Sequence, residues 1–166
     1  MKTLEDDYMK AATVQEIKKE LSFLETEKIQ DLCLRLVKYK KENKELLTYL
    51  LFEAHDEQGY IDGIKQELEQ EFQTISNLNV YYVKKSLRRI LRFVNKQIKY
   101  SGVPKTEVEL RIHFCQQTRE AGVPISKSQV LINLYQQQIN KINQAMIKLP
   151  EDLQYDYQNE IENLSL

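Results

Sequence analysis

The chain reads as all-α, with seven or eight antiparallel helices packed as a bundle or a short two-layer helical stack. Three observations carry that reading. Apolar residues recur at steps of three and four along most of the length. Only four Gly and three Pro interrupt 166 residues, so elements run long. No segment alternates apolar and polar residues with β-branched enrichment, as a half-buried strand would. More than about 65% helix is expected, against about a third in ordinary globular proteins.

A first helix starts at Thr13, which has capping-box spacing to Glu16, and Val14, Ile17, Leu21 and Leu24 carry its stripe to about Glu25. Ile29, Leu32, Cys33, Leu36 and Val37 make a second stripe, and Leu46, Leu47, Leu50, Leu51 and Ala54 a third. Between them Lys40-Lys41-Glu42-Asn43 has neither Gly nor Pro, so pattern alone leaves one helix or two over residues 26–56. Gly59 and Gly63 loosen the chain, and Ile61, Ile64, Leu68, Phe72 and Ile75 give a further helix. Ser76-Asn77-Leu78-Asn79 marks a break.

The clearest helix spans about Val80 to Tyr100. Val83, Leu87, Ile90, Leu91, Val94 and Ile98 cluster within a third of its circumference, opposite a fan of basic residues. Leu87, Leu91 and Val94 are therefore expected in the core. Gly102-Val103-Pro104 and Gly122-Val123-Pro124 are two stops of one grammar. Gly takes the left-handed position past the last turn, the hydrophobe folds back, and Pro cannot continue the helix. Two copies do not make a repeat array. Thr106 and Glu109 have the spacing of a second capping box, opening a short helix lined by Val108, Ile112 and Cys115, with Leu110 and Phe114 alongside. Ser126 or Ser128 caps a longer helix to about Lys148, with Leu131, Leu134, Tyr135, Ile142 and Met146 inward. Pro150, followed by Glu151 and Asp152, opens a closing helix whose stripe is Leu153, Tyr157, Ile161 and Leu164.

The length suits one domain over residues 1–166, with residues 1–12 loosely docked. A composition 42% hydrophobic and 30% charged is globular rather than disordered. No apolar run approaches the roughly 20 residues of a membrane span, and the first ten residues carry acids where a signal would be apolar. Cys33 and Cys115 then read as reduced, buried thiols of a cytoplasmic protein.

Charge is segregated. Residues 1–78 hold 11 basic and 17 acidic side chains (net −6), residues 79–148 hold 13 and 3 (net +10), and residues 149–166 hold 0 and 5 (net −5). Between Asn79 and Thr106 there is no acid. Lys84, Arg88, Arg92 and Lys96 form a row at steps of four, with Lys85, Arg89 and Lys99 beside it. Seven positive charges on one face repel one another unless water, salt or an acidic surface screens them. The first expectation is that solvent or the chain's own acids, such as Glu67, Glu69 and Glu71, do so. The alternatives are an acidic protein or membrane surface, and nucleic acid, for which Tyr81, Tyr82, Phe93 and Tyr100 offer stacking.

Catalytic and metal chemistry find little footing. One helix cannot aim Glu53, His55 and Glu57 at a single ion. Glu109 and His113 are spaced to supply two ligands, with Cys115 close in sequence, which keeps a metal-dependent helical protein as a further alternative. Such a pair more often makes a carboxylate–imidazole contact. Cys33 lies in an apolar stripe that suppresses thiolate reactivity. No phosphate-cradling Gly-rich loop and no Gly-x-Ser-x-Gly turn occurs. No catalytic residue, metal or cofactor is assigned. The expectation is a non-catalytic cytoplasmic binding or scaffold module whose surface is the Lys84–Lys99 face. The Leu36–Phe52 segment, dense in charge and apolar bulk, reads as an ordinary amphipathic helix rather than a docking edge.

Overall fold

The computed structural model of the protein describes residues 10–75 and 79–164. Most of the 1–12 segment and most of the Ser76–Asn79 break lie outside the described residues. Of the described residues 82% are helical, and none forms a strand. The chain groups into two compact units, residues 1–47 and 48–166.

In the first unit, α1 (Val14–Leu21) begins at the expected capping box. Thr13 Oγ1 accepts from the Glu16 amide at 3.3 Å, and Glu16 Oε2 accepts from the Thr13 amide at 2.8 Å. The helix stops short of Glu25 because Ser22 closes it, its hydroxyl bonding back to the Lys19 carbonyl at 2.7 Å. α2 (Thr26–Tyr39) and α3 (Lys41–Thr48) are separate helices. Lys40 breaks them by adopting an extended conformation, φ −146° and ψ 137°. Asn43 then donates to the Leu36 carbonyl at 2.9 Å, satisfying an orphan of the last turn of α2. The break thus rests on a side-chain cap rather than on Gly or Pro.

The second unit opens with a single π-turn, Tyr49–Glu53, closed by the Ala54 amide on the Tyr49 carbonyl at 2.9 Å. The wider turn rotates the expected third stripe out of register. Tyr49 is buried, while Leu50, Leu51 and Phe52 are exposed.

α4 (Glu57–Gln73) buries Tyr60, Ile61, Ile64, Leu68 and Phe72. Gly59 and Gly63 do not loosen the chain but lie inside α4, whose first turn is capped by Asp56 accepting from the Gly59 amide at 3.0 Å. α5 (Val80–Ser101) starts where Asn79 accepts from the Tyr81 amide, and it buries Val83, Leu87, Ile90, Leu91 and Val94 as the basic fan requires. Gly102 takes φ 68° and donates to the Ile98 carbonyl.

Pro104 opens α6 (Pro104–Glu120) directly, so Thr106 and Glu109 lie in the helix interior and their capping box does not form. α6 is the centre of the unit rather than a short helix between stops. It packs against α4, α5 and α7 (Gln129–Met146) and buries residues all round, including Val108, Leu110, Ile112, Phe114 and Cys115. Phe114 meets Phe72 of α4 edge-on at 5.5 Å. Gly122 repeats the left-handed stop at φ 66°. Pro124 leads there into a 3₁₀ turn, Ile125–Lys127, and Ser128 occupies the cap position of α7 without a side-chain bond. α8 (Glu151–Glu162) is tied back by Tyr157 and by the Tyr135 hydroxyl on the Leu164 carbonyl at 3.0 Å.

Candidate functional site

On α5, Tyr81, Lys85, Arg88, Arg92, Asn95 and Lys99 follow one another at steps of four and three, and every one is exposed. At about 100° per residue they share an arc of about 80°. At about 1.5 Å per residue the row is about 27 Å long. It is a straight, mostly cationic rail, and the apolar arc of the same helix holds it by packing on α6.

The rest of the basic fan is used differently. Arg89 turns towards α4, ion-paired with Glu71 and donating to Thr74 Oγ1 at 3.2 Å. Lys96 Nζ lies 6.0 Å from the centroid of the Tyr100 ring. Among the described residues, Lys84, Lys85, Arg88, Arg92 and Lys99 make no ion pair or side-chain hydrogen bond. Of the acids expected to cover the face, Glu71 reaches only Arg89, and Glu69 faces His113 instead.

Beside the rail, α5 and α7 leave an open groove of about 490 Å³. Arg88, Leu91, Arg92 and Asn95 form one wall, and Val130, Asn133, Leu134 and Gln137 the other. Neither wall carries an acid, because residues 121–150, like residues 79–106, contain no Asp or Glu. The outer face of α7 is a field of carboxamides. Gln129 bonds Asn133 at 2.8 Å and Gln136 bonds Asn140 at 3.2 Å. Chemically the groove has an apolar floor, two guanidinium groups and three carboxamides. The carboxamides can each donate and accept. The row read from the sequence runs through Lys84, Arg88, Arg92 and Lys96 with Lys85, Arg89 and Lys99 beside it, whereas the exposed row of the fold runs through Lys85, Arg88, Arg92 and Lys99; Asn95, Asn133 and Gln137 stand outside that reading. The acid-free stretch 121–150 was the available signal, and only the fold lays it beside α5.

Two carboxylates, Glu57 partly buried and Glu109 buried, are engaged by partners within the fold. Glu57 accepts from Tyr49 at 2.6 Å and from the hydroxyls of Ser101 and Thr106. Burial pushes its carboxyl upward, but the Ser101, Thr106 and Tyr49 hydroxyls and the Lys105 charge outweigh that and leave it below its ordinary value. Glu109 is buried and accepts from Lys65 and Tyr157, each at 2.7 Å, with Lys105 at 3.6 Å. Burial pushes its carboxyl up as well, and these partners bring it net below its ordinary value. Arg111 is buried too, donating to Glu107 and to the buried Gln138 at 2.8 and 2.7 Å.

The Glu109–His113 pair is not assembled as a pair of ligands. Glu109 is committed to Lys65 and Tyr157. His113 Nε2 lies 3.3 Å from Glu69 Oε1, within ion-pair range but without hydrogen-bond alignment. Burial lowers the His113 pKa, with Glu69 opposing. Among the described residues no three His, Cys, Asp or Glu side chains gather as a metal site. Cys33 and Cys115 are unpaired, and burial pushes the Cys115 thiol up to about 12, where it is a poor nucleophile. Among the described residues no helix is long and apolar enough to cross a membrane.

Compared with known proteins, the chain matches no family model. It also matches no curated protein and no solved structure.

Proposed function

We propose that the protein is a non-catalytic cytoplasmic binding module that takes a polyanionic partner on the α5 rail and the α5–α7 groove. The observation that supports this most directly is the state of the rail. Lys85, Arg88, Arg92 and Lys99 stand exposed in one row, without an ion pair among the described residues, between walls that lack acids. A cationic face of this kind raises the local concentration of an anionic partner and speeds its encounter. Arg88 and Arg92, one helical turn apart, can each grip a carboxylate or phosphate through two parallel N–H bonds. The unpaired cysteines fit a reducing compartment.

The test is retention on immobilised heparin, a generic polyanion, together with thermal melting. The native protein is expected to be retained at low ionic strength and released as salt rises. The double variant Arg88→Glu/Arg92→Glu is expected to pass through while its melting temperature stays nearly unchanged. If the chain's own acids were what the face serves, the pattern would reverse, with a destabilised variant and no retention even of the native protein. That outcome refutes the proposal.

A further inference from the structure

Building on that reading, we infer that the polyanion is single-stranded nucleic acid, its phosphates on the α5 rail and its bases turned into the α5–α7 groove. Four features of the site favour this over an acidic protein. The rail is linear and its charges are all positive, a match for the single line of like charges on a phosphate backbone. The groove beside it offers Asn95, Asn133 and Gln137, and carboxamides hydrogen-bond the mixed donor and acceptor edges of bases. The apolar floor of Leu91, Val130 and Leu134 suits the face of a base. At the head of the rail, Tyr81 and Tyr82 stand more than half exposed, at 64% and 55%, with rings 5.3 Å apart and edge to face. Exposed tyrosines beside a cationic track are the stacking platform of sequence-tolerant strand binders.

The groove beside the exposed rail is a concavity, and this favours unpaired bases over a duplex read from its major groove. Reading paired DNA requires an element that protrudes into the major groove. Here α5 is half-buried on α6, and the groove is a concavity of about 490 Å³. A concavity of this size can take the unpaired bases of one strand, whereas the convex surface of a double helix would meet the rail alone. The rail of about 27 Å is long enough to follow several consecutive phosphates of one strand. Four rail cations, Lys85, Arg88, Arg92 and Lys99, set the salt dependence. The logarithm of affinity should fall against the logarithm of salt with a slope of about −3, from about 0.7 per contact on a single strand.

Fluorescence anisotropy of the full chain tests this with a labelled mixed-sequence oligonucleotide in ribo, deoxy and duplex form, and with a polyglutamate peptide as competitor. The expected result is binding of a single strand in preference to duplex, with a slope near −3. Whether the ribo or the deoxy strand binds more tightly identifies the source, and either result supports the inference. Arg88→Gln/Arg92→Gln should reduce the slope by about 1.4, which is two contacts at about 0.7 each. Asn133→Ala/Gln137→Ala should weaken binding by about threefold to tenfold with the slope unchanged, and should not affect an abasic strand, because these side chains meet bases and not phosphates. Duplex bound as tightly as single strand, polyglutamate displacing the oligonucleotide at equal charge, no binding at all, or a groove variant that behaves like the native protein would each overturn the inference. Heparin retention that depends on Arg88 and Arg92, without strand binding, would leave the proposed polyanion function standing and remove only this step.

Discussion

Replacing Glu57 by Ala should cost about 2–6 kcal/mol, because the carboxylate is the acceptor at which four elements meet. Tyr49 comes from the π-turn, Glu57 from the start of α4, Ser101 from the end of α5 and Thr106 from the first turns of α6. All three hydroxyls donate to this one group. The magnitude follows from what is stranded when the acceptor is removed. Thr106 is fully buried at 0% exposure and Tyr49 is at 5%, so neither donor reaches water. Each unsatisfied buried donor costs about 1–3 kcal/mol. Ser101 is half-buried, finds solvent, and adds little. The expected loss is a large share of the roughly 5–15 kcal/mol that holds a domain together.

Urea unfolding followed by far-ultraviolet circular dichroism at neutral pH measures the loss by linear extrapolation. A change within the roughly 0.5 kcal/mol of an ordinary surface substitution would refute the reasoning. A double-mutant cycle with Thr106→Val separates the bond from general packing damage. The hydroxyl and the carboxylate should couple by about 0.5–3 kcal/mol, and strict additivity would mean they do not interact.

Two further outcomes test the same structure. Gly63→Ala should stabilise the protein by about 0.8–1 kcal/mol, since Gly63 lies inside α4 with open space around an added Cβ, whereas Gly59→Ala should lack that gain, because its Cβ would meet Asp56 Oδ2 at 2.4 Å and displace the cap; thermal melts in which Gly63→Ala gives no gain, or in which the two variants shift equally, would contradict this. Acid should destabilise in two stages. His113 is held below its ordinary 6.5, and Glu57 and Glu109 below 4.5, so each contributes stability that is complete above those values and is lost as pH falls through the folded pKa. The urea midpoint should therefore decline below about 6.5 and again below 4.5, and a midpoint that rises on acidification would count against the buried, neutral His113.

The sequence made α5 legible because the helix is amphipathic. One arc is apolar and the other basic, and a single period reads both. α6 was read as a short satellite for the opposite reason. It is buried on all sides, so it has no wet face to set a period. Its interior polar residues, Thr106, Glu109 and Arg111, are satisfied by partners 27 to 49 residues away in sequence. The Thr106–Glu109 capping box failed on the same ground. Local spacing allowed it, but Pro104 starts the helix ahead of Thr106, and Glu57 and Lys65 engage the two side chains. Lys40 shows a further limit, since an extended residue flanked by good helix formers leaves no compositional trace. Likewise the second wall of the groove is invisible in a linear reading. Asn133 and Gln137 look like solvated polar residues until α6 brings α7 beside α5.

The placement of acids explains why Lys85, Arg88, Arg92 and Lys99 make no ion pair among the described residues. α4 carries five carboxylates and α6 three, and at least five of these eight are already engaged. Glu57 is taken by three hydroxyls, Glu69 faces His113, and Glu71 takes Arg89 on the far side of the basic fan. On α6, Glu107 is bound by Arg111 and Glu109 by Lys65 and Tyr157. Each of these contacts also joins helices or steadies a buried charge, so redirecting Glu57 or Glu109 would strand buried partners. The rail points the other way, towards α7, which has no acid to offer. Core packing and charge placement therefore act together. The acids named here are engaged by their own partners, and the positive charge of α5 borders a groove whose other lining is carboxamide and apolar. A partner that neutralises the rail must bring its own negative charge and meet those amides at the same time, which is the demand the strand-binding experiment measures.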